Sequence, residues 1–115
     1  MHASAIQSIT IKASEVDFAL LNDADELQKM LRNVTELAGL HHLESVTHQF
    51  SPQGVSAALL LSESHIAIHT WPESGVVYVA MTTCKVLDDD KLQQIKELIA
   101  RLLDTEKIIM KEMAL

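Results

Sequence analysis

Two stretches of the chain, "NDADELQKMLRNVTELAG" at 22–39 and "DDDKLQQIKELIARLL" at 88–103, each carry a single apolar stripe at helical spacing. In the first, Leu27, Met30, Leu31, Val34 and Leu37 recur every three or four residues; in the second, Leu92, Ile95, Ile99 and Leu102 do. Each stretch is therefore an amphipathic helix with one face to bury. Asn22 or Asp23 is placed to cap the first helix, acids fill the opening turn of both, and Gly39 supplies a stop. Around them, strand-like runs at 5–12, 42–50, 54–62, 65–71, 76–84 and 107–113 give the order β-α-β-β-β-β-α-β. Strands mostly adjacent in sequence pair antiparallel, so the expected architecture is α+β. It is a two-layer α/β sandwich, a mainly antiparallel sheet with both helices on one face. "SAALLLS" and "VVYVAM" are apolar on both faces, more than two layers bury. The uncovered sheet face is expected to meet a second copy, giving a homodimer or higher homo-oligomer.

At 115 residues the chain suits one domain, 1–115, with one core. Its 48% hydrophobic content fits a folded protein, and no apolar run reaches the length of a membrane span, so no membrane partner is expected. The start, "MHASAIQSITIKASEVD", lacks the basic segment and apolar core of a signal peptide. With the single cysteine, Cys84, ruling out an internal disulfide framework, the reading is a cytoplasmic protein. A net charge of -7 argues against nucleic acid as a partner and suits a small cationic ligand.

The chemistry-bearing residues concentrate in "LSESHIAIHTWPESG", 61–75, which holds three serines, two histidines and the only tryptophan. His65 and His69 form an H-x-x-x-H pair, but the alternation around them is that of a strand, on which four residues span roughly 13 Å, too far for one metal ion. No metal is expected. "GVSAA" at 54–58 half-resembles a nucleophile elbow, yet no helix follows the serine and the chain is too short for that scaffold. Cys84 and His69 are a candidate cysteine–histidine pair, or equally a buried small hydrophobe and a hydrogen-bonded structural imidazole. Residues taken singly leave these alternatives open.

Taken together, "SPQGVSAALLLSESHIAIHTWPESGVVYVAMTTC", 51–84, resembles the core of the bacterial and archaeal S-adenosylmethionine decarboxylases, pyruvoyl enzymes of polyamine synthesis. "SESHIAIHTWPE" is its most specific part. The resemblance implies a proenzyme that cuts itself between Glu63 and Ser64 into 1–63 and 64–115, leaving a pyruvoyl group, generated from Ser64, on the new N-terminus. No external cofactor is implied. Ser64 would attack the Glu63 carbonyl, and the resulting oxyanion and the later α-proton removal call for placed donors and a base, roles that Ser56 and His69 match. The pyruvoyl carbonyl would take the substrate amine as a Schiff base and act as electron sink, with Cys84 matching the donor that returns a proton.

For the substrate, Phe50 and Glu73 match positions that stack on the adenine and hold the ribose hydroxyls. Ala13 and Ser14 stand where the family's first strand usually carries a second aromatic residue, and Ala80, Thr82 and Lys85 replace an acid, an aromatic and a glycine near Cys84. Loss of one stacking partner is worth about 0.5–1.5 kcal/mol. S-adenosylmethionine is the first expectation. The alternatives are ornithine or arginine, whose distal cation would need Glu15, Glu63 or Glu73, and an uncleaved, inactive homologue. Strict alternation puts Ser64 and His69 on opposite faces of their strand, so a turn or bulge is expected near Ser64.

Overall fold

The structure, a computed structural model, describes residues 5–115; the first four residues of the expected domain and of the N-terminal stretch lie outside it. Strand β1 spans Gln7–Ala13, and a four-residue helix α1, Phe18–Leu21, leads into α2, Ala24–Leu37. Strands β2 (His42–Gln49), β3 (Val55–Leu61), β4 (Ser64–Trp71) and β5 (Val76–Thr83) follow, with a 3-10 turn at Pro72–Ser74, and then α3 (Asp89–Leu103) and β6 (Ile108–Ala114). The six strands form one sheet in the order β2-β3-β4-β5-β1-β6, and every neighbouring pair is antiparallel.

The helices form where capping and periodicity agree. Asp23 caps α2 by accepting from Glu26 N at 3.2 Å, and Asp88 caps α3 by accepting from Lys91 N at 2.8 Å. Gly39, with φ of 72°, ends α2 in the left-handed region that glycine enters without a Cβ clash. Leu27, Met30, Leu31 and Val34 of α2 and Leu92, Ile95, Ile99 and Leu103 of α3 are buried against the sheet. Each such side chain contributes about 1.5–3 kcal/mol of burial. Leu103, rather than the expected Leu102, completes the stripe of α3, and Leu102 is only half buried. Helix α1 is an addition to the expected elements; Asp17 caps it by accepting from Ala19 N.

Burial alternates strictly along β3, β4 and β5. Val55, Ala57, Leu59 and Leu61, then Ser64, Ile66, Ile68 and Thr70, then Val77, Val79, Met81 and Thr83 face the helices. The other face is open. The pairing registers lay its side chains in rows: His48, Ser56, His69, Tyr78, Lys12 and Ile109 form one, and Val46, Ala58, Ala67, Ala80, Thr10 and Lys111 the next. This face is less apolar than the strand sequences suggest, with small and polar side chains at its centre and exposed Val46, Leu60, Trp71, Ile109 and Met113 spread among them. No helix among the described residues is long and apolar enough to cross a membrane.

Candidate active site

The sequence-derived residues gather at the two ends of β4. At one end, Ser56 and His69 are directly opposite each other on β3 and β4. Both point to the open face, and Ser56 Oγ lies 2.7 Å from His69 Nδ1. The pair sits in a cleft of about 350 Å³ lined also by Phe50, Gln53, Gly54, Thr70, Trp71 and Glu73. Phe50 begins the loop after β2, which closes through a bond from Phe50 N to Gly54 O at 2.8 Å. Its half-exposed ring meets the His48 ring edge-on, with centroids 4.5 Å apart. Glu73 is carried by the 3-10 turn, which opens on Pro72 and stops at Gly75 with φ of 66°. A Cβ on Gly75 would stand 3.1 Å from Val16 O, so this turn packs directly on the segment after β1. Glu15, itself at φ 58°, is exposed beside that contact and is not part of the cleft wall.

At the other end, Ser62 and Glu63 make a two-residue turn between β3 and β4, with Glu63 left-handed at φ 59°. Ser64 follows, buried on the helix-covered face, and its Oγ has no hydrogen-bond partner among the described residues. Cys84, a free thiol just past β5, points its Sγ to the Glu63 carboxylate at 3.9 Å. Thr83 fixes the turn there by accepting from Lys85 N at 2.9 Å, and its hydroxyl also bonds the Lys85 carbonyl. Three residues on, the buried Gln7 amide accepts from Leu87 N at 2.9 Å and donates to Leu87 O.

The two ends stay apart. Register runs unbroken from Leu61 paired with Ser64 to Ser56 paired with His69, so no bulge interrupts β4. This corrects the expected irregularity near Ser64: the tight turn ends before Ser64 and leaves no extra residue for the ladder to absorb. Ser64 and His69 of one chain therefore face opposite sides and stand about 16 Å apart along the strand. The same separation removes the Cys84–His69 pair considered for a cysteine hydrolase. Ser56 lies inside a strand rather than at an elbow, and among the described residues no group of three or more His, Cys, Asp or Glu is placed for a metal ion.

The profile of the family described as S-adenosylmethionine decarboxylase matches residues 7–114. The chain belongs to this family. Among curated S-adenosylmethionine decarboxylase proenzymes, that of Pelotomaculum thermopropionicum is 48% identical over 68 residues, 59% of this chain and 54% of the relative. That of Methanococcus vannielii is 40% identical over 81 residues, 69% of this chain and 66% of the relative. The chain thus spans a little over half the length of relatives such as the Pelotomaculum protein. The crystal structure of the adenosylmethionine decarboxylase from Aquifex aeolicus superposes with a TM-score of 0.81 at 27% identity, covering 97% of this chain and 91% of that one. A Trypanosoma brucei AdoMetDC monomer, at 15% identity, shares the fold alone, with a TM-score of 0.57 over 96% of this chain and 46% of that one.

Within the decarboxylase fold, Ala13 is buried among the core side chains, and Ser14 donates its N–H to Lys107 O and accepts from the Thr105 hydroxyl at its carbonyl, both on the β6 side. Neither supplies a cleft wall. Trp71 does, a residue that sequence reasoning quoted without assigning a role. Its signal was its position: as an outward residue of β4 it lies on the same face as His69, two residues on. Gln53, Gly54 and Thr70 were likewise missed, because only the loop closure and the Thr70 hydroxyl bonds to Val55 N and Leu21 O bring them together.

Proposed function

We propose that the chain is a self-processing carboxy-lyase that decarboxylates S-adenosylmethionine for polyamine synthesis. It is cut between Glu63 and Ser64 into 1–63 and 64–115, carries a pyruvoyl group formed from Ser64, and works as a cytoplasmic dimer. One observation carries the reading: Glu63 and Cys84 meet at a tight turn followed by Ser64, whose hydroxyl is buried and has no partner among the described residues. A buried hydroxyl without a partner is costly, about 1–3 kcal/mol, and its cost is understandable where the hydroxyl is a nucleophile. Those residues fit a pyruvoyl group at position 64.

Processing is chemistry of the chain itself. The Ser64 oxygen bonds to the Glu63 carbonyl carbon as the amide C–N bond breaks, giving an ester and a free amine at residue 64. Removal of the residue 64 α-proton breaks the Cβ–Oγ bond and expels the main-chain carboxylate of residue 63, and water then adds to the resulting imine and releases ammonia to leave the carbonyl. That carbonyl supplies an electron sink for the bond to the substrate carboxylate. Cys84, held by the Thr83 turn, bears the proton to be returned to the substrate carbon. Glu63 beside it keeps an acceptor at the thiol. Phe50 and Trp71 offer two aromatic rings in one cleft for the adenine, which offsets the missing aromatic residue of β1, and Glu73 accepts from the ribose hydroxyls.

The two-ended layout supports the dimer. A second copy laid on the open sheet face, running the opposite way, brings one chain's Ser56 and His69 toward the other's turn at Glu63 and Cys84, from which Ser64 turns in to the helix-covered side. Exposed Val46, Leu60, Ile109 and Met113 give that face apolar surface to cover. Cys84 as a lone free thiol is in keeping with a reducing compartment.

Intact-mass measurement should find two chains, the second beginning with pyruvoyl, and the purified protein should release carbon dioxide from S-adenosylmethionine. Persistence of one uncut chain, or a specificity constant for ornithine or arginine about a hundredfold higher, overturns the reading.

A further inference from the structure

We propose that Asn22 is a positioning residue of the cleft, holding the loop 50–54 through its side-chain carbonyl so that the Phe50 ring keeps a fixed orientation toward the substrate base. The inference rests on the proposed function for the identity of the ligand, and on the hydrogen-bond pattern for everything else. Asn22 ends the short helix α1 and precedes the Asp23 cap of α2, so its backbone is fixed from both sides. Its Oδ1 reaches across to the loop and accepts two bonds, from Gly54 N at 2.9 Å and from Gln49 Nε2 at 3.0 Å.

Gly54 is then tied at both backbone groups. Its carbonyl accepts from Phe50 N at 2.8 Å and from Gln49 Nε2 at 3.1 Å, while its N–H goes to Asn22. With φ of 108° it adopts a conformation that side chains disfavour, and a Cβ there would meet Thr70 O at 3.4 Å. The Gly54 N–H is thus held by Asn22, and the Gly54 carbonyl by Phe50 and Gln49. Next door, Thr70 donates to Leu21 O at 2.7 Å and accepts from Val55 N at 2.9 Å. Residues 21 and 22 therefore hook the end of β4 and the entry to β3 at once.

Phe50 needs this help because its ring is half exposed, and among the described residues the one aromatic ring against it is His48. Its direction follows from its backbone, which closes on Gly54. Removing the Asn22 oxygen frees the Gly54 N–H and the Gln49 amide, so the loop gains conformers in which the ring does not face the cleft. Ligand binding is then reduced by the fraction of chains with the ring misplaced. The groups at Glu63, Ser64 and Cys84, at the far end of β4, are untouched.

The test compares wild type, Asn22→Ala and Asn22→Asp by amide hydrogen exchange at Gly54 and by steady-state decarboxylation of S-adenosylmethionine. For Asn22→Ala, exchange at Gly54 should quicken and KM should rise, each about tenfold, with kcat and the extent of chain cleavage within about twofold. Asn22→Asp keeps the accepting oxygen and should stay within about threefold of wild type in both. If Asn22→Ala does not fold, Asn22→Ser, whose oxygen is too short to reach both donors, carries the same expectations. Unchanged Gly54 exchange, or a loss of kcat and folded protein at constant KM, overturns the proposal. A wild type that releases no carbon dioxide from S-adenosylmethionine sinks the functional reading instead, and the exchange measurement still decides whether Asn22 pins the loop.

Discussion

Ser56 Oγ lies 2.7 Å from His69 Nδ1 across the β3–β4 pair, on the open face of the sheet. The bond holds the imidazole at Nδ1 in the cleft lining and leaves Nε2 as the ring nitrogen available to accept or deliver a proton. His69→Ala should slow chain cleavage by about 10²–10⁴-fold, the usual worth of a placed acid or base. Ser56→Ala, which frees the ring without removing it, should slow it less. Time courses of the uncut band on denaturing gels measure both, and equal rates for wild type and His69→Ala would remove the residue from processing.

Replacing Cys84 tests whether catalysis and maturation can be separated. Its sulfur faces the Glu63 carboxylate at 3.9 Å rather than the Ser64 hydroxyl. Cys84→Ala protein that has been cleaved should therefore decarboxylate at least about 10²-fold more slowly, with KM changed by no more than a fewfold. Full activity in a cleaved Cys84→Ala sample would assign proton return to another group.

The fold was largely legible because burial and periodicity coincide. Expected strands at 76–84 and 65–71 are Val76–Thr83 and Ser64–Trp71, and both amphipathic stripes became buried helix faces. Helix α1 was not legible: four residues are too few for a 3.6-residue period to register, and its only sign was Asp17 standing two before Ala19. The site was half legible. Alternation alone placed Ser64 and His69 on opposite faces, and of the turn or bulge expected near Ser64 only the turn at 62–63 is present, ending before Ser64 so that the two stay on opposite faces. Trp71 in the cleft was legible from the same alternation, as an outward residue two on from His69, whereas Gln53, Gly54 and Asn22 behind them depend on loop closure, which no spacing rule encodes.

Gln7 offers a stability test away from the cleft. It is 2% exposed, and its amide accepts from Leu87 N and donates to Leu87 O and to the Glu112 carboxylate. Gln7→Leu leaves two buried backbone groups of the segment after Cys84 without partners. The expected cost is about 2 kcal/mol, which lowers Tm by roughly 10 °C in a domain of this size. Calorimetry that finds Tm within about 2 °C of wild type would mean that water or a rearranged side chain meets those groups.

Complementation between two inactive chains tests the shared site most directly. Within one chain, Ser64 and His69 face opposite sides of β4 and stand about 16 Å apart along it. If a second copy brings its own Ser56 and His69 to the first copy's turn, each site draws on both chains. Ser64→Ala alone should remain uncut, and His69→Ala alone should be cut very slowly. Co-expressed with distinct tags, they form mixed dimers in which one site pairs the intact Ser64 of the His69→Ala chain with the intact His69 of the Ser64→Ala chain. The other site has neither. In those mixed dimers the His69→Ala chain should therefore be cut at close to the wild-type rate, while the Ser64→Ala chain stays whole, and mass spectrometry of the doubly purified dimer reads this directly. If the His69→Ala chain in the mixed dimer stays as slow as in its own homodimer, each chain must process itself, and β4 must bend during maturation to bring its two ends together.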